Sequence, residues 1–210
     1  MPILSAQAAL MRAARIPRGN DPDQVMSPKS TVYKVELQIS DMDRHYYQAH
    51  TLTLALHPSE TLDRMMVRVL AFGLNADEAL SFGRGLSSDD EPDLWRRDPT
   101  GSIEQWIEVG QPDEQRIRRA CGRARQVIIY NYSGRGAQIW WDKIGGALAR
   151  SKNLTVVDLP AHACEEMARL AERTTRLQLI IQDGQIQLMN DAVTVQIDPM
   201  VRIATATRER

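Results

Sequence analysis

Two hydrophobic periodicities alternate along this chain, and their order confines it to a mixed-sheet α/β or α+β domain. Residues 31–40 alternate apolar and polar side chains, and so do residues 46–56. Asp41 to Arg44 form a turn between them, so an antiparallel hairpin is expected. Leu62, Met65, Met66, Val69 and Leu70 then repeat at helical spacing, with Ser59 as N-cap and Gly73 as C-cap. Strand patterns follow at 80–86, 93–98 and 103–109, with an acidic turn over 87–92. Pro112, Asp113 and Glu114 open a second helix, since proline and acids favour the first turn. The nearly continuous apolar run Val127 to Tyr130 predicts a buried strand. A helix over 137–149, a strand over 154–159 and a helix over 161–171 come next. A closing hairpin over 177–195 turns at Asp183 and Gly184.

The length of 210 residues suits one domain. Residues 1–25 stand apart: a short apolar stretch, then Arg12, Arg15 and Arg18, then a turn-rich linker from Pro17 to Asp23. The charge order is the reverse of a secretory signal. We therefore expect 1–25 to be a loose or non-native extension and 26–210 to be a single domain. No apolar run approaches the roughly 18 residues that span a bilayer, so no membrane partner is expected. Cys121 and Cys164 lie far apart with no metal or disulfide spacing, which points to the cytoplasm.

Charge is balanced overall, with 26 basic and 27 acidic residues, so a purely electrostatic nucleic-acid binder is not expected. Locally it segregates. Residues 89–114 carry nine acids against two arginines, and residues 115–150 carry eight bases against one acid. One reading is an acidic edge paired with a basic helix. The other is carboxylates for a metal with arginines nearby for phosphate, the layout of a metal-dependent phosphodiester site. In the strand 103–109, regular alternation places Trp106, Glu108 and Gly110 on one face. A carboxylate in so apolar a strand needs a partner. A divalent cation shared with Asp93 would serve, and so would structural hydrogen bonds. Gly83 to Gly85 and Ser133 to Gly136 fit no phosphate-loop spacing and read as turns. The four histidines show no metal spacing.

Several blocks resemble the YaeQ family: His57 to Thr61, Asp89 to Trp95, Trp106 to Gly110, Pro112 to Glu114, Ala137 to Trp141 and Ile181 to Gly184. The resemblance spans about residues 30–198. It implies a restriction-endonuclease-like PD-(D/E)XK fold, a mixed β-sheet flanked by helices, here with an added N-terminal hairpin and a C-terminal hairpin. It also implies Mg²⁺, or Mn²⁺, held by Asp93, Glu108, the Val109 carbonyl and Glu60, with the three acids as catalytic residues. The motif's lysine falls on Gly110, a departure. Arg116 and Arg119 are the candidates to reach back in its place and bind substrate, with Gln111 adjacent. The expected function is therefore a nuclease-like protein with a degenerate metal site. The competing expectation is a catalytically silent nuclease fold that binds nucleic acid or a protein partner, with a possible link to transcription.

Overall fold

The computed structural model describes residues 30–84 and 90–205. The expected extension at 1–25 and part of the acidic turn at 87–92 lie outside them. The chain runs β1 (Thr31–Asp41), β2 (Tyr46–Leu56), α1 (Leu62–Leu74), β3 (Leu80–Phe82), β4 (Leu94–Arg97), β5 (Ile103–Val109) and α2 (Glu114–Arg123). It continues through β6 (Ala124–Asn131), α3 (Arg135–Leu148), β7 (Leu154–Asp158), α4 (Ala161–Arg169), β8 (Thr174–Gln182), β9 (Gln185–Met189), β10 (Thr194–Ile197) and β11 (Met200–Ile203).

The strands form two mixed sheets. One has the order β10-β9-β8-β1-β2, the other β11-β7-β6-β5-β4-β3. The terminal hairpins therefore do not decorate the central sheet. They join through the parallel pair β1 and β8 into a sheet of their own. That is a correction to the single-sheet expectation, and its cause is a long-range pairing that local periodicity does not encode. In the second sheet β5, β6 and β7 run parallel, linked by the crossover helices α2 and α3.

α1 lies between the sheets. Every residue from Met65 to Gly73 is buried, as suits a helix that is apolar nearly all round. Together with Met167 of α4, Met65 and Met66 join Leu37 and Leu179 of one sheet to Leu94, Ile107 and Ile128 of the other in one core. A methyl group on Gly73 would run into the Leu179 side chain, so this glycine sets how closely α1 approaches the first sheet. The far face of the second sheet holds a smaller core, in which Trp106, Val127, Ile129 and Val156 pack on Ile117 of α2 and Ile144 of α3. Both faces of β6 are thus covered, which explains its nearly unbroken apolar run.

α1 starts later than expected. Ser59 is spent on His57 Nδ1 in a turn at 2.6 Å, and Thr61 becomes the N-cap, accepting from the Arg64 amide at 3.3 Å. Gly73 lies inside the helix, and Asn75 is the C-cap.

Candidate functional site

The site is built where the start of α1 meets the ends of β4 and β5. Glu60 directly precedes the N-cap of α1 and is 8% exposed. Asp93 precedes β4 and is 2% exposed. Its amide donates to the Ile107 carbonyl at 3.0 Å, although the register partner of Ile107 is Leu94. Two residues thus oppose one, as in a β-bulge. The bulge turns the Asp93 carboxylate toward α1. There one oxygen accepts from the Val109 amide at 2.8 Å, and the other meets Arg64 Nη2 at 2.6 Å.

Arg64 is the centre of the cluster. Its Nη1 binds Glu60 Oε1 at 2.8 Å, and its Nη2 lies 3.5 Å from the Val109 carbonyl oxygen. Arg68, one turn later, donates to both Glu60 oxygens at 3.1 Å, and its Nε is 3.9 Å from Asp93. Burial works against the Arg64 charge, but Asp93 and Glu60 outweigh it, and the guanidinium pKa rises. Two carboxylates and two guanidiniums cancel in formal charge. Glu60, Asp93 and the Val109 carbonyl do converge, but on a guanidinium.

Glu108 does not join them. It extends into the α2 layer with Trp106, whose Nε1 donates to Glu108 Oε1 at 2.6 Å. Arg116 Nε binds the same oxygen at 2.8 Å, and Arg116 Nη2 donates to the Glu91 carbonyl at 2.8 Å. Burial raises the Glu108 pKa above its ordinary value; the Arg116 and Trp106 hydrogen bonds oppose the shift, and the Asp93 charge adds to it. The expected set of Asp93, Glu108, Glu60 and Val109 is thus divided between two groups of partners: Glu108 hydrogen-bonds with Trp106 and Arg116, whereas Glu60, Asp93 and the Val109 carbonyl meet Arg64. Among the described residues no three His, Cys, Asp or Glu side chains are placed to hold a metal ion. The donor set does not fit a divalent cation as it stands, because the Glu60 oxygens and Asp93 Oδ1 are engaged by arginine and Asp93 Oδ2 by the Val109 amide.

Arg116 reaches Glu108 rather than the Asp93 cluster. Arg119 points outward, 4.0 Å from Asp90. Neither lies where the sequence reading expected a basic group to reach back toward Gly110 and the Asp93 cluster. Gln111 instead ties β5 to β6, donating to Asn131 Oδ1 at 2.7 Å and to the Tyr132 carbonyl at 2.5 Å. Gly110 has φ +106°, a conformation that side-chain-bearing residues rarely adopt. The backbone therefore leaves the strand at Gly110. Beside the cluster a cleft of about 490 Å³ opens, lined by Thr61, Tyr132, Ser133, Arg135 and Cys164 among others. Burial pushes the Cys164 thiol up to about 12, so it is no ready nucleophile.

The site residues missed in the sequence are Arg64 and Arg68. Their signal was present: they follow Glu60 by four and eight residues, on one helical face, and beside them Asp63 is the only other charged residue of the helix.

These features define an α+β protein of two mixed sheets with a buried acid–arginine cluster between them. The chain belongs to the YaeQ family, whose pattern, described as YaeQ protein, matches residues 26–199. The YaeQ protein of Escherichia coli (strain K12) is 43% identical over 173 residues, which is 82% of this chain and 96% of that one. The Salmonella typhi protein is 44% identical over 172 residues, 82% and 95% of the two chains. The crystal structure of the YaeQ protein from Xanthomonas axonopodis pv. citri superposes with TM-score 0.81 at 54% identity, covering 83% of this chain and 99% of that one. The one from Pseudomonas syringae gives 0.80 at 34% identity, covering 83% and 97%.

Proposed function

We propose that this chain is a nuclease-like protein that works by binding a protein partner and does not cleave nucleic acid. The restriction-endonuclease-like PD-(D/E)XK assignment is part of this reading. Its support is a mixed sheet flanked by helices, with Asp93 before one strand, Glu108 on the next and Glu60 at the first core helix. The observation that carries the loss of cleavage is the Arg64 guanidinium lying on Glu60, Asp93 and Val109, the groups that a catalytic cation would need. A guanidinium cannot generate a metal-bound hydroxide, and it stays protonated at all working pH values.

The basic helix also argues against nucleic acid as the partner. Arg116 binds Glu108, Arg118 binds Glu114 at 2.6 Å, and Arg123 donates to the Asp90 carbonyl at 3.4 Å. Arg125, just beyond, lies 3.6 Å from Glu104. Phosphate binding draws on cations that can release counterions, and these cations face the protein's own acids and carbonyls.

The test is incubation of single- and double-stranded DNA and RNA with the protein and Mg²⁺ or Mn²⁺. The expected result is no cleavage, and nucleic-acid retention no stronger than that of a neutral control protein. Metal-dependent cleavage that disappears in both Asp93→Ala and Glu108→Ala would overturn the proposal and restore the nuclease.

A further inference from the structure

The two sheets have four outer strands, and three of these are protected in familiar ways. β3 has three residues. β10 has four and runs into Asp198 and Pro199. β11 has four, with a register shift between Val201 and Ile203. β2 is different. It runs for eleven residues in unbroken register with β1. It contains no proline, lysine or other ionised side chain apart from the titratable His50.

The amide directions along β2 follow from its neighbours. The Lys34 amide donates to Arg173 and the Met42 amide to Ile181, so even-numbered residues of β1 face β8. Odd-numbered residues of β1 therefore face β2. Their partners there are even-numbered, as in Val35 with Leu52 and Leu37 with His50. The N–H and C=O groups of Tyr47, Ala49, Thr51, Thr53 and Ala55 consequently point away from the sheet. All five residues are exposed, and among the described residues none of these groups has a backbone partner.

We infer that this edge pairs antiparallel with the β2 edge of a second copy of the chain, about a two-fold axis at Thr51. The five outward residues are centred on Thr51 and so complement themselves. Thr51 meets Thr51, Ala49 meets Thr53, and Tyr47 meets Ala55, each pair exchanging two backbone hydrogen bonds. Facing Thr residues pair favourably, and no like charges oppose each other across the axis. The two five-stranded sheets become one ten-stranded sheet, with the isologous interface typical of a two-fold dimer. This inference is independent of the proposed function above.

The test is sedimentation equilibrium on the full chain, with melting followed for each variant. The wild type is expected at twice the 23.7 kDa chain mass. Thr51→Lys, which sets two ammonium groups opposite each other on an exposed position, is expected to be monomeric and to unfold in one cooperative transition whose midpoint, unlike that of the wild type, does not rise with protein concentration. Oxidised Thr51→Cys is expected to form a covalent dimer, because hydrogen-bonded partners have Cα atoms about 5.5 Å apart, within disulfide reach. Thr53→Cys alone is not, since its copies would lie about 14 Å apart along the strand. A wild type that stays monomeric at high concentration overturns the inference. So does a dimer that Thr51→Lys leaves intact, or one in which Thr53→Cys crosslinks as readily as Thr51→Cys. Dimerisation that appears only after deletion of residues 1–25 would assign the edge to the chain's own N-terminal segment and overturn it too.

Discussion

Arg64 Nη2 lies 2.6 Å from Asp93 Oδ1, and this contact joins the helix between the two sheets to the bulged start of β4. The same guanidinium binds Glu60 at 2.8 Å. All three side chains are largely removed from water. In such a place an ion pair adds little to stability by itself, but breaking it is costly, because an uncompensated charge stays behind.

Arg64→Ala is therefore expected to destabilise the fold by about 3–5 kcal/mol, since it leaves part of the Glu60 and Asp93 charge uncompensated. The double change Arg64→Ala with Asp93→Asn should recover part of that loss, because these neighbours couple. Denaturant unfolding of the two single variants and the double variant checks this. Simple additivity would mean that the contact carries no energy.

Glu108 gives a prediction in pH. Burial raises its folded pKa above the ordinary 4.5, and the Arg116 and Trp106 hydrogen bonds only reduce the shift. The folded state then holds the proton more tightly than the unfolded chain. This contribution to stability is fully present below about 4.5 and is lost as pH rises through the folded pKa. Glu108→Gln does not titrate. The melting temperature of the wild type minus that of Glu108→Gln should fall as pH rises from the acid range to neutrality. A difference that grows instead would mean that Arg116 holds the pKa down.

On the nuclease-like reading proposed above, placing a lysine at Gly110 should fail, for a reason that lies in the backbone. The Gly110 Cβ position is open, with only Tyr132 Cε1 at 3.8 Å, so the obstacle is the backbone at φ +106°. Gly110→Ala and Gly110→Lys should each cost about 1–3 kcal/mol through that strained conformation. Gly110→Lys should gain no nuclease activity. Thermal unfolding and a cleavage assay on both variants test this. A Gly110→Lys protein as stable as wild type would contradict the backbone argument.

Much of this architecture was legible in the sequence where periodicity is strong. Residues 46–56 alternate and residues 103–109 are a strand-like run rich in β-branched and aromatic side chains, and the structure places β2 and β5 there. The turn at Asp183 and Gly184 joins β8 to β9 as their sequence suggests. The partition into two sheets was not legible, because it depends on β1 finding β8 across more than a hundred residues. The site failed at one point. Regular alternation puts Asp93 on the face of Trp95 and Trp106, but a bulge at Ile107 turns it to the other face. A single inserted residue leaves no periodic trace. The segregated charges had two readings, and the contacts of Arg116, Arg118, Arg119 and Arg125 with acids favour the paired edge.

The central claim is that Arg64 takes the position of a cation between Glu60 and Asp93. Its most direct test is a Mn²⁺ titration of wild type, Arg64→Gln and Arg64→Gln combined with Arg68→Gln, read by the metal's electron paramagnetic resonance signal and by melting temperature. Ligand that binds only the folded state raises stability, by about 2.7 kcal/mol at a hundredfold excess over Kd. The account predicts that Mn²⁺ leaves the wild-type melting temperature unchanged, and that it binds and stabilises the variant only when Arg64→Gln is combined with Arg68→Gln, since Arg68 otherwise still covers both Glu60 oxygens. Mn²⁺ binding by the wild type that Asp93→Asn abolishes would contradict it.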